Sequence, residues 1–126
     1  MAPIRDNLEQ MIGDKFLVDD LFVDGYIEAE AISYMRGRSL ADTFLIIDEA
    51  QNLNKHEIKT IVTRAGPGTK IVFTGDIEQI DTPGLTKERN GLTYLVQRFI
   101  NEKESGHIVL ETCERSDLAS KAAKLL

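Results

Sequence analysis

The feature of this sequence that most constrains its fold is an unbroken apolar run, Phe-Leu-Ile-Ile over residues 44–47, which ends in Asp48 and Glu49. A strand without polar alternation is typical of a parallel sheet whose two faces are both covered. Residues 70–74 form a second apolar run, which is followed by Gly75 and Asp76. Because ligands of such sheets bind beyond the carboxyl ends of the strands, the polar residues after these runs are candidate site residues.

The remaining pattern alternates β-branched runs with helical periodicity. A helix beginning at Asn54, with Glu57 in capping-box position, is predicted to follow the first run. Further helices are predicted over residues 6–12, 19–25 and 92–99 and after Ser116, and further strands over residues 27–32 and 108–110. This order predicts an α/β layered fold with a mostly parallel sheet.

Length and composition describe an acidic chain of single-domain size. The 126 residues carry 15 Lys and Arg against 21 Asp and Glu, a net charge of −6. This balance excludes a simple basic coat for nucleic acid, although it leaves room for a local basic patch. The single cysteine, Cys113, excludes an internal disulfide, and no apolar run approaches the ~20 residues of a membrane span. We therefore expect a cytoplasmic protein with no membrane partner.

The paired acids after the first run suit nucleotide hydrolysis. There, the first acid, Asp48, would hold Mg²⁺ through a water, and the second, Glu49, would polarise the attacking water. Gln79 follows Asp76 by three residues, and its carboxamide could orient a water at a γ-phosphate. The alternative is a strand that ends in two exposed acids before a helix, where acids also suit the helix dipole.

Three arginines are candidate phosphate ligands. Arg115 follows the last predicted strand, where it could clamp a phosphate or act as an arginine finger, or else pair with a neighbouring acid at the surface. Arg36 and Arg38 form a tight basic cluster beside Tyr34 that suits contact with a nucleic-acid backbone. A solvated turn explains that cluster equally well.

Two sequence blocks carry a family resemblance. The Asp-Glu-Ala-Gln-Asn block at residues 48–52 and the Gly-Asp-Ile-Glu-Gln-Ile-Asp block at residues 75–81 resemble the PhoH-like ATPases, in the branch where a PIN-type ribonuclease domain precedes the ATPase domain. The resemblance extends over most of the chain. It implies a RecA-like P-loop NTPase fold related to superfamily 1 helicases, with ATP and Mg²⁺ as cofactors. It also implies action on RNA or single-stranded nucleic acid, and a homo-oligomer that could be a ring.

The resemblance assigns roles to the residues that match the motifs of the family. The acids of the Walker B motif correspond to Asp48, which would bind Mg²⁺ through water, and to Glu49, which would act in catalysis. The other matches are Gln51 of the helicase-like motif, Gly75, Asp76 and Gln79 of the γ-phosphate sensor, and Arg115 as the late arginine. Of these, Gln79 and Arg115 would be catalytic, and Gln51, Gly75 and Asp76 would contact the nucleotide.

One departure from the family is as informative as the matches. The Walker A loop of the family lies upstream of the matching region, and no Gly-x-x-x-x-Gly-Lys-[Ser/Thr] occurs in these 126 residues. We therefore expect residues 1–126 to be the carboxyl-terminal part of an ATPase domain, incomplete as a P-loop sheet and inactive alone. The alternative is a non-catalytic module that binds RNA or a protein through Arg36, Arg38 and the sheet edge. A receiver-like phosphoacceptor domain is disfavoured because Lys70 begins its strand.

Overall fold

The computed structural model describes residues 2–32, 37, 39–112 and 114–126. The predictions for Arg36, Arg38 and Cys113 lie outside these residues. The helices are α1 (Ala2–Ile12), α2 (Lys15–Val23), α3 (Lys55–Val62), α4 (Gly91–Phe99) and α5 (Asp117–Leu125), and the strands are β1 (Phe44–Ile47) and β2 (Lys70–Phe73). The chain forms two compact units, Met1–Ile46 with Lys59–Val72, and Ile47–Ile58 with Phe73–Leu126.

The first unit contains the helix pair α1 and α2. Gly13 adopts a φ of 76° after α1, and the Asp14 side chain then accepts hydrogen bonds from the first backbone N–H groups of α2. The guanidinium of Arg5 pairs with Asp19 across the two helices and lies 5.1 Å above the ring of Phe22. Both predicted helices are confirmed, but each begins earlier than predicted, α2 because Asp14 caps it.

The strands β1 and β2 pair in parallel, as predicted. The backbone N–H of Lys70 donates to the Thr43 carbonyl at one end of the ladder, and the N–H of Thr74 donates to the Ile47 carbonyl at the other, each at 2.9 Å. Both strands therefore end at the same edge, where Asp48 follows β1. This register confirms the α/β fold class and the shared edge that the two apolar runs predict.

Capping side chains begin the helices of the second unit. Asn54 Oδ1 accepts from the Glu57 N–H at 2.9 Å while Glu57 Oε1 accepts from the Asn54 N–H at 3.2 Å, which is the predicted capping box. Asn90 caps α4, and the Ser116 hydroxyl caps α5 by accepting from the Ala119 N–H at 3.2 Å. Among the described residues of this unit, the buried ones are Ile47, Ala50, Gln51, Leu53, Ile58, Asn90 and Gly91.

Two predicted strands are wrong. Residues 27–32 form no strand, and their Glu and Ala residues favour strands only weakly. Residues 108–110 also form no strand, and Ile108, Val109 and Leu110 are 83%, 70% and 88% exposed. An apolar run becomes a strand only when a neighbour accepts its backbone hydrogen bonds, and within the described ranges these residues have none. Likewise, within those ranges, no helix is long and apolar enough to span a bilayer.

Candidate functional site

The site begins where β1 ends, at the carboxylate of Asp48. Its Oδ1 accepts from the Thr74 hydroxyl at the end of β2 and from the backbone N–H of Glu49, both at 2.9 Å. These two hydrogen bonds fix the orientation of the carboxylate. Sequence reasoning missed Thr74, although a hydroxyl residue at the end of the neighbouring strand was a usable signal.

Glu49 occupies an unusual backbone conformation. Its φ of 54° and ψ of 37° place it in the left-handed region immediately before a 3₁₀ turn at Ala50–Asn52. A residue with a Cβ pays conformational energy there, and such strain clusters at functional sites. The Ala50 N–H donates to the Thr74 carbonyl at 2.9 Å, which holds the turn against the end of β2.

Gln51 joins the two sequence blocks from a fully buried position. Its Nε2 donates to Glu49 Oε2 at 2.5 Å and to the Gln79 carbonyl at 3.1 Å, and its Oε1 accepts from the Asp76 N–H at 3.2 Å. The side chain is 0% exposed, so its carboxamide is engaged entirely within the protein. The structure thus gives Gln51 a positioning role, and its contact with a nucleotide stays a prediction.

The packing around position 75 admits only glycine. A Cβ built on it would lie 2.9 Å from Leu92 Cδ2 and 3.3 Å from the Ala50 backbone nitrogen, and closer still to Gln51 Oε1. Gly75 has an ordinary φ, so the glycine is required by close approach and not by a left-handed turn.

The second block forms a tight turn around Asp76. Its Oδ1 accepts from the Glu78 N–H at 2.9 Å, and its Oδ2 accepts from Gln79 Nε2 at 3.1 Å. The Gln79 N–H also donates to the Asp76 carbonyl at 3.0 Å. Gln79 remains exposed, so its carboxamide oxygen is accessible from outside the turn.

The segment that follows this turn forms hydrogen bonds with Asn52. Asn52 Oδ1 accepts from the N–H groups of Asp81 at 2.8 Å and Thr82 at 3.2 Å, and the Thr82 hydroxyl donates to the Asn52 carbonyl at 3.0 Å. Further on, the ammonium of Lys87 hydrogen-bonds Glu78, which raises the pKa of Lys87 above its usual value. Asn52 belongs to the first quoted block, but only the fold shows what it binds.

The carboxylate oxygens at this edge suit a Mg²⁺ ion that is held by one carboxylate. Both described hydrogen bonds to Asp48 fall on Oδ1, and no described residue donates to Oδ2. Mg²⁺ takes hard oxygen ligands and commonly keeps several waters beside one or two carboxylates. Within the described ranges no three His, Cys, Asp or Glu side chains cluster as a ready metal cage.

Arg115 is the described candidate that this arrangement does not include. It is exposed in the segment before α5, and no described side chain forms an ion pair with it. The structure therefore brings together Asp48, Glu49, Gln51, Gly75, Asp76 and Gln79 through direct contacts or short backbone links.

Comparison with known proteins shows the family of the chain. The family model described as PhoH-like protein matches residues 1–126, the whole chain. The chain belongs to the PhoH family. This is a family of P-loop NTPases, which in general use a nucleotide and Mg²⁺. Membership confirms the resemblance read from the Asp-Glu-Ala-Gln-Asn and Gly-Asp-Ile-Glu-Gln-Ile-Asp blocks.

Three relatives show how this PhoH-family chain compares in sequence and length. It is 51% identical to Protein PhoH2 of Bacillus subtilis (strain 168) over 129 residues, which are 100% of the chain and 29% of that protein. It is 41% identical to a PhoH-like protein of Synechocystis sp. over 98% of the chain and 41% of the relative. It is 31% identical to Protein PhoH2 of Mycolicibacterium smegmatis over 98% of the chain and 28% of the relative. The chain therefore spans well under half the length of these three relatives.

Proposed function

We propose that this chain is the carboxyl-terminal part of a PhoH-family ATPase domain and supplies its Walker B acids and γ-phosphate sensor. The observation that carries the proposal is the Gln51 side chain, which hydrogen-bonds Glu49 on one side and the Asp76 backbone on the other. A buried amide that joins these two blocks keeps a water-polarising acid and a sensor turn in fixed relation. Such preorganisation is what phosphoryl transfer requires of a protein.

Each residue of the site then has a chemical role. Mg²⁺ would neutralise charge on the β- and γ-phosphates of ATP, and the fixed Asp48 carboxylate would hold it through water. The Glu49 carboxylate would accept a hydrogen bond from the attacking water and so orient that water. Gln79 would present its exposed carboxamide to the same water or to a γ-phosphate oxygen.

The wider activity belongs to the same proposal. The ATPase would act on RNA or single-stranded nucleic acid, in keeping with the relation to superfamily 1 helicases that the motifs imply. Arg36 and Arg38 would contact the nucleic-acid backbone. Arg115, exposed before α5, would reach a nucleotide in a neighbouring subunit of a homo-oligomer, as arginine fingers do.

The test is a chimera in which this chain replaces the matching segment of Protein PhoH2 of Bacillus subtilis, to which it is 51% identical. The chimera should hydrolyse ATP in the presence of Mg²⁺. Glu49→Gln should lower the turnover roughly 10²- to 10⁴-fold while nucleotide binding persists, because it removes only the group that polarises water.

Glu104→Gln is the matched control, because Glu104 is exposed and remote in sequence from both blocks. It should leave turnover unchanged. A folded chimera that hydrolyses ATP equally well with Glu49→Gln would refute the assignment of the Walker B acids.

A further inference from the structure

A cleft of about 740 Å³ lies in the second unit, apart from the residues of the proposed nucleotide site. It opens between the start of α3 and the segment that leads into and forms α4. The lining residues that matter for its chemistry are Lys55, Glu88, Arg89, Tyr94 and Gln97. The volume falls within the range of about 300–1,000 Å³ that is usual for ligand clefts.

The charge of this cleft contrasts with that of the chain. The chain has a net charge of −6, yet the described lining contributes Lys55 and Arg89 against the single acid Glu88. Among the described residues, none forms an ion pair with Lys55 or Arg89. Two cations without acidic partners in one cleft favour an anionic ligand.

An aromatic ring contacts one of these cations, Lys55, and also Arg98, which does not line the cleft. The ammonium of Lys55 lies 4.6 Å from the centre of the Tyr94 ring, and the guanidinium of Arg98 lies 5.4 Å from the same centre. Tyr94 is half-buried and sits on α4 between Gln97 and the capped start of that helix. Cation–π contacts restrict where the Lys55 ammonium can move, so the ring keeps this positive charge beside it in the cleft.

We propose that this cleft binds the backbone of single-stranded nucleic acid, with Lys55 and Arg89 on successive phosphates and Tyr94 beside a base. A positively charged groove with an aromatic side chain is the arrangement that binds single strands without reading sequence. The proposal rests on the nucleic-acid part of the proposed function and adds a site distinct from Arg36 and Arg38. The exposed Gln97 amide supplies a neutral hydrogen-bond partner at the rim.

The test measures binding of the chain to fluorescent oligouridylate and oligodeoxythymidylate of about 12 nucleotides by anisotropy, from about 50 to about 200 mM NaCl. Lys55→Ala with Arg89→Ala should weaken binding about tenfold or more at low salt and lower the salt slope by about 1.4, since each phosphate contact contributes about 0.7. Tyr94→Leu should weaken binding several-fold, and Tyr94→Phe should bind like the parent.

The matched control is Lys103→Ala with Lys121→Ala, which removes the same charge from exposed positions outside the cleft. Thermal unfolding of each variant verifies that it folds.

Equal affinity and equal salt slope in the cleft and control variants would overturn the proposal, although the chain would still be shown to bind RNA. If the parent chain binds neither oligonucleotide, or binds free phosphate or ATP in the cleft instead, the cleft proposal also fails. Hydrolysis by the chimera is measured separately and does not depend on either result.

Discussion

The carboxamide of Gln51 packs so closely on the backbone of Gly75 that a methyl group would not fit between them. An added Cβ would also come within 2.9 Å of Leu92 Cδ2. This contact joins the 3₁₀ turn at Ala50–Asn52 to the start of the block at residues 75–81, so the two halves of the site depend on one glycine.

We expect Gly75→Ala to lower the free energy of unfolding by about 1–3 kcal/mol, because the new methyl group must displace Gln51 or Leu92. Chemical denaturation measures the change. Gly106→Ala is the control, since nothing lies within 4 Å of a Cβ there and its φ is not positive. We expect that control to stay within about 0.5 kcal/mol of the parent.

A double-mutant cycle tests whether Gln51 is the partner that Gly75 requires. Gln51→Ala alone should cost about 2–3 kcal/mol, because it removes three hydrogen bonds from a buried position. In that background the added cost of Gly75→Ala should shrink by at least about 0.5 kcal/mol. Strict additivity would contradict the contact described above.

Thr74 should tune metal binding through Asp48. In the PhoH2 chimera, Thr74→Val removes the hydroxyl that donates to Asp48 Oδ1 and should raise the Mg²⁺ concentration for half-maximal ATPase activity about tenfold. Thr74→Ser should restore the parent value. Thr63→Val, a change of the same chemistry just after the end of α3, should leave that Mg²⁺ concentration unchanged. A purely structural role for Thr74 predicts lower stability with no change in Mg²⁺ dependence.

The left-handed backbone of Glu49 makes a prediction about stability. Glu49→Gly should be more stable to denaturant than Glu49→Ala by about 1 kcal/mol, because only glycine adopts a φ of 54° without steric cost. Both variants should abolish hydrolysis by the chimera. At Glu104, whose φ is not positive, the Ala variant should equal or exceed the Gly variant in stability. The opposite order at Glu49 would show that its conformation carries no strain.

The chain alone should bind ATP weakly, with a dissociation constant well above the micromolar range. The site described here contains Asp48, Glu49 and the turn around Asp76, but the sequence has no phosphate loop to surround the β- and γ-phosphates with backbone N–H groups and a lysine. Calorimetric titration with Mg²⁺-ATP measures the affinity. Micromolar binding would mean that these residues hold a nucleotide without that loop.

Local signals in the sequence predicted the parts of the fold that depend on near neighbours. The apolar runs marked β1 and β2, and the pairing of Asn54 with Glu57 marked the start of α3. Residues 108–110 carry an equally apolar run but form no strand, because pairing depends on a partner that a local pattern does not reveal.

The candidate site likewise has one part that the sequence predicted and another that it did not. The shared edge of β1 and β2 followed from the rule that parallel strands end together, which predicts that Asp48 lies near the block that begins at Gly75. The burial of Gln51 and the hydrogen bonds of Asn52 did not follow, because they depend on how two irregular segments fold onto each other.

The hydrogen bonds of Gln51 and Asn52 also limit how this edge can move. The Gln51 side chain hydrogen-bonds the backbone of residue 76, and the Asn52 side chain hydrogen-bonds the backbone of residues 81 and 82. One short turn therefore holds both ends of the loop between residues 76 and 82. A shift of Glu49 during a catalytic cycle would therefore carry that loop with it as a single moving part. Through Lys87, which hydrogen-bonds Glu78 within the loop, the displacement would reach the segment that leads into α4.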